Sequence, residues 1–148
     1  MHLAGFSAGA TVALAAALAL GDPIRTVALL EPAFIGDDAL REMVMAPGET
    51  PPPSRRPVSW DFRDDLLGTM LTAHTGFESS DLAAIAAPIL LVRAGRSAPR
   101  FGLAARRLMA VCPRASEYVF PALHHFAPPY REEPGAFAQV LFDFWLGA

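Results

Sequence analysis

Gly5-Phe6-Ser7-Ala8-Gly9, close to the start of a 148-residue chain, fits the G-x-S-x-G pattern of a nucleophile elbow, in which a serine sits on a tight strand-to-helix turn. A serine there has strained backbone angles, and the chain folds back so that the positions two before and two after it nearly touch. Small residues are needed at both, which accounts for Gly5 and Gly9. Only Met1 to Leu3 or Ala4 remain to form the launching strand. The expectation is therefore that the chain in front of the elbow is missing.

The motif arises by chance in roughly one chain of this length in twenty, so its weight comes from the segments on its C-terminal side. Ala8 to Leu20 has no polar residue after Thr11 and is rich in helix formers; a helix apolar on every side is normally buried. Gly21-Asp22-Pro23 stops it, and Arg25 to Glu31 reads as a buried parallel strand ending in a carboxylate. A rival reading treats Met1 to about Ala19 as a secretory signal, with Ala17-Leu18-Ala19 as its cleavage site. Its n-region, however, has neither Lys nor Arg. As a membrane span the segment is too short.

The composition is 53% hydrophobic and 18% charged with net charge −3, which fits one soluble domain with a real core. Mild acidity leaves no footprint for nucleic acid or an anionic membrane. One cysteine, Cys112, rules out an internal disulfide framework and suits a reducing, cytoplasmic setting. It reads as a packing residue at a helix end. All twelve basic residues are Arg, and neither Lys nor Asn occurs; with abundant Ala, this points to a GC-rich bacterial genome. No metal-ligand cluster and no phosphate-binding glycine loop is present.

Beyond Glu31 the organisation changes. Asp37 to Ala46 reads as a short helix, Ala46 to Pro57 as an extended proline-rich connection, and Ser59 to Thr75 as an amphipathic helix. Ser79-Ser80-Asp81 caps one more short helix through Ile85. Residues 33–87 thus read as a helical cap or lid inserted in a core made of 1–32 and 88–148. Its apolar residues Trp60, Phe62, Met70 and Phe77 would suit a small hydrophobic substrate, and His74 reads as a surface residue at a helix end. Alternation then resumes: a strand at Ile89 to Val92, a turn at Gly95 to Pro99, a helix at Phe101 to Val111, a strand at Glu117 to Phe120, a loop with His124 and His125, and a closing helix at Pro134 to Leu146. Strands alternating with helices imply an α/β fold with a parallel sheet of about four strands, covered on both faces.

In its order of elbow, Leu-Leu-Glu-Pro strand, helical cap, Ala-Pro-Ile-Leu-Leu-Val strand and late histidine, the chain resembles the C-terminal half of an α/β-hydrolase. The resemblance implies a cofactor-independent serine hydrolase acting on esters or related acyl compounds. Ser7 matches the nucleophile; its alternative is a cap for the following helix. His125 matches the general base in preference to His124, because similar sequences show Gly-His-Phe at this point. The acid departs from the commonest pattern. Many relatives carry an Asp in a Gly-x-x-Asp turn, but here that turn is Gly95-Arg96-Ser97-Ala98. Glu31 occupies the other place used in the family, the end of the preceding strand. Its alternatives are a structural role, such as pairing with Arg93, or replacement by Asp37 or Asp38. The backbone N–H of Ala8 matches one oxyanion donor, and the family's second donor comes from a loop before this chain begins. Two further readings stand beside the enzyme: a non-catalytic remnant domain, and a small secreted protein with a cleaved signal. An unpaired edge on the first strand would favour self-association.

Overall fold

The structure is a computed structural model and describes residues 1–32 and 79–147. The expected helices at 37–46 and 59–75 and the proline-rich connection, together with Asp37, Asp38, Trp60, Phe62, Met70, His74 and Phe77, lie outside the described residues.

Four parallel strands form one sheet in chain order: β1 (His2–Phe6), β2 (Thr26–Leu30), β3 (Ile89–Ala94) and β4 (Ala115–Phe120). Between them run α1 (Ala8–Leu20), α2 (Ser79–Ala83) and α3 (Pro99–Val111), and α4 (Pro129–Glu132) and α5 (Pro134–Gly147) close the chain. The α/β class and the four-stranded sheet are as the sequence implies. β1 runs to Phe6 rather than stopping at Leu3 or Ala4, and its register pairs Phe6 with Leu30. Residues 2–20, which a signal-peptide reading would remove, supply the first strand and helix of this core, with Ala10 and Leu14 fully buried.

Alternation along the central strands divides the core in two. Val27, Leu29, Ile89 and Leu91 face one layer with residues of α1, α2 and α3. Ala28, Leu30, Leu90 and Val92 face the other, where Leu141, Phe137 and Phe144 of α5 cover them. Because both faces are covered, β2 is buried along its whole length. Leu82 and Ile85 belong to the first layer, so residues near the end of the expected insertion pack with the core.

α1 is covered on one side only. Its sequence is apolar all round, yet only Ala10, Thr11, Ala13, Leu14 and Ala17 are buried, while Val12 and Leu20 stay exposed. Gly21 ends it at φ 60°, ψ −125°, with its N–H on the Ala17 carbonyl, a positive-φ conformation that glycine adopts without the clash a Cβ would bring. Among the described residues, no helix is long and apolar enough to cross a membrane.

Cys112 follows α3, buried, with its Sγ–H directed at the Leu82 carbonyl at 3.3 Å. Burial raises its thiol pKa, and only the thiolate reacts. Alkylation by iodoacetamide should therefore be at least about tenfold slower in the native protein than in urea. Mass spectrometry reads this directly, and equal rates would mean that the end of α3 is open.

Candidate active site

β1 and β2 run side by side and end level, so Ser7 and Glu31 leave the sheet at equivalent points. Ser7 stands at φ 53°, ψ −118°, a backbone conformation that costs an L-residue about 1–3 kcal/mol. Neighbouring contacts hold it there: its N–H donates to the Leu30 carbonyl at 2.8 Å, and its own carbonyl accepts from Ala10 and Thr11. Its side chain makes no capping hydrogen bond to α1, unlike the alternative reading of this serine.

The crowding at the turn is one-sided. A Cβ on Gly5 would lie 2.2 Å from the Gly9 carbonyl oxygen and 2.6 Å from the Ala10 nitrogen, whereas a Cβ on Gly9 would meet nothing within 4 Å. The expectation that both glycines are needed for space is thus corrected. The close approach is between the Gly5 side-chain position and the backbone of Gly9, and the Gly9 side-chain position points into the open.

Glu31 is 4% exposed and also has positive φ, 43°. β3 continues past the end of β2, and the carboxylate takes over where the ladder stops. The Glu31 N–H donates to the Val92 carbonyl, and Oε1 accepts from the Ala94 N–H at 2.9 Å. The other oxygen, Oε2, is 2.7 Å from His125 Nδ1. Arg93, a possible partner for this acid, instead pairs with Glu117 at 2.9 Å.

His125 arrives from the loop after β4. A tight turn, closed by the Ala127 N–H donating to the His124 carbonyl at 2.8 Å, presents it. Its Nε2 lies 3.1 Å from Ser7 Oγ. His124 is exposed and receives the Phe126 N–H on its own Nδ1. Of the two histidines, His125 is the one brought to Ser7 and Glu31. The turn Gly95 to Ala98 supplies no carboxylate; Ala98 begins α3 without a side-chain cap.

A hydroxyl, an imidazole and a buried carboxylate thus form one hydrogen-bonded line across residues far apart in sequence. With Nδ1–H donating to Glu31, the Nε2 lone pair faces the Ser7 hydroxyl, the tautomer that satisfies both bonds. Such a line can take the serine proton as the oxygen attacks an electrophile. The Ala8 amide adjoins it in the first turn of α1, where helix N–H groups lack intrahelical partners. Among the described residues, no group of three His, Cys, Asp or Glu side chains is placed to hold a metal.

Aromatic rings surround the imidazole, a feature without any local signal in the sequence. Phe101 stacks on it at 4.4 Å and 14°, Phe6 approaches at 4.9 Å, and Phe126 meets it edge-on at 5.3 Å.

The fold is that of the α/β hydrolases from the nucleophile elbow onward. An α/β hydrolase from the metagenome of lagoon sediments at Mar Chica, Morocco, superposes with TM-score 0.67 at 18% identity, over 99% of this chain and 61% of its own. A membrane phospholipase A described as a bacterial virulence factor gives TM-score 0.72 at 19% identity, over 99% of this chain and 57% of its own. A serine hydrolase involved in carbazole degradation gives 0.63 at 14%, over 99% and 63%. The chain spans about three fifths of the length of these structures. No protein-family model matches the sequence, and comparison with curated proteins gives no match.

Proposed function

We propose that the chain carries the catalytic residues of a serine hydrolase that cleaves esters or related acyl compounds. The supporting observation is the Ser7–His125–Glu31 line on a serine held in elbow geometry. Ser7 Oγ attacks the acyl carbonyl carbon while its proton passes to His125 Nε2. Glu31 keeps the imidazole in the required tautomer and stabilises the imidazolium. The Ala8 amide donates to the carbonyl oxygen as negative charge develops on it. The protonated imidazole then gives its proton to the leaving alkoxide, leaving an acyl-Ser7 ester. Water, deprotonated by His125, attacks that ester; the acid is released and the Ser7 proton restored. No cofactor enters the sequence of steps.

A small apolar acyl substrate suits the surroundings. Phe126 and Tyr130 are 57% and 42% exposed, and they flank His125 and Phe6 respectively. The test is labelling with a fluorophosphonate followed by peptide mass spectrometry. A single adduct on Ser7, lost in Ser7→Ala and reduced by at least about a hundredfold in His125→Ala, is the expected result. An unlabelled Ser7 in folded protein would remove the hydrolase reading.

A further inference from the structure

Hydrogen bonds at the two nitrogens of His125 locate its edges but resist rocking of the ring out of its plane only weakly. A flat, immobile neighbour supplies that resistance. Phe101 lies nearly parallel to the imidazole, with centroids 4.4 Å apart and planes 14° from each other. It is 4% exposed, so its own ring has little room to move. It belongs to the first turn of α3, where its N–H donates to the Ala98 carbonyl at 3.1 Å.

The segment leading into α3 is tied to the segment leading to His125. The Gly95 N–H donates to the Phe120 carbonyl at 2.8 Å, and the Arg96 N–H to the Leu123 carbonyl at 2.9 Å. A Cβ on Gly95 would lie 2.8 Å from Pro121 Cα, so the two loops approach backbone to backbone. Phe101 and His125 are therefore set in one frame: the turn after β3 contributes no carboxylate to the site but leads to the ring behind its base.

We propose that Phe101 is a positioning residue that holds the His125 imidazole in line with Ser7 and Glu31 through a stacked face. The assignment rests on the serine-hydrolase reading. It requires a planar side chain at position 101, and mere filling of volume does not suffice. Phe6 is also near the ring, but it lies inside the elbow, where any substitution would disturb Ser7 directly.

The full chain is treated with a fluorophosphonate, and the maximal labelling rate of Ser7 is separated from probe affinity in the parent, Phe101→Leu, Phe101→Met and Phe101→Tyr proteins. The downfield imidazole N–H resonance of His125 is recorded alongside. Phe101→Leu and Phe101→Met should lower the maximal rate by about ten- to a hundredfold, leave probe affinity within about twofold, and broaden the N–H resonance. Phe101→Tyr should keep both near the parent. Parent-like rate and resonance in whichever of Phe101→Leu and Phe101→Met folds would overturn the proposal. So would equal losses in all three variants in step with a lowered melting temperature, since Phe101 would then be packing alone. If Ser7 of the parent is not labelled, the hydrolase reading fails, and with it any catalytic consequence of the stack. The resonance would still report separately whether Phe101 orders the ring.

Discussion

Replacing Glu31 by Gln is expected to lower turnover of an activated ester by about 10⁴-fold, with little change in melting temperature. The reason lies in the two bonds of the Glu31 carboxylate. The Gln carbonyl oxygen can still accept from the Ala94 N–H, as Oε1 does at 2.9 Å. The amide NH₂ must then face His125 Nδ1, 2.7 Å from the present Oε2. Two N–H groups cannot share that contact, so Nδ1 gives up its proton and Nε2 carries it. An Nε2–H facing Ser7 cannot receive the serine proton, although size, burial and backbone are preserved. Steady-state kinetics beside a circular-dichroism melt check both halves. Near-parent turnover would exclude Glu31 as the acid.

The largest effect on folding is expected at Gly5. In Gly5→Ala the new methyl would sit 2.2 Å from the Gly9 oxygen and 2.4 Å from its carbonyl carbon. Both are backbone atoms that cannot rotate away. The loss of stability should exceed the usual overpacking cost of about 1–3 kcal/mol and remove the elbow. Gly9→Ala is the control: its Cβ enters open space, and Ala is the better helix former by up to about 1 kcal/mol. Urea titration of both variants is the measurement. Comparable destabilisation at the two positions would contradict the one-sided crowding.

These contrasts mark where the sequence is readable. The limits of α1 can be read as Ala8 and Leu20 because a turn motif and a Gly-Asp-Pro stop bracket the segment. Glu31 and His125 are visible as candidates through the resemblance of the element order to the α/β-hydrolases. What brings them together is not: the Ala94 amide, the side-on pairing of Phe6 with Leu30, and the tie from Arg96 to Leu123 all join residues distant in sequence. The direction of the Gly9 side-chain position is hidden because G-x-S-x-G treats its two glycines alike. Which side of α1 stays exposed is hidden because apolar composition records only a preference for cover. Phe101 looks like the start of a helix, and nothing in its neighbours marks a ring on which an imidazole stacks.

The ladder between β1 and β2 has a mechanical consequence. Ser7 and Glu31 come directly after the paired residues Phe6 and Leu30, so their spacing is set by the main-chain hydrogen bonds that join the edge strand β1 to the buried strand β2. His125 comes from beyond β4, at the opposite edge, and reaches Glu31 across β3 and Ser7 across β3 and β2. The line is therefore a stiff jaw closed by a long arm. Heating should loosen the arm while the jaw keeps its gauge, so that His125 parts from Ser7 and returns on cooling before the sheet begins to melt.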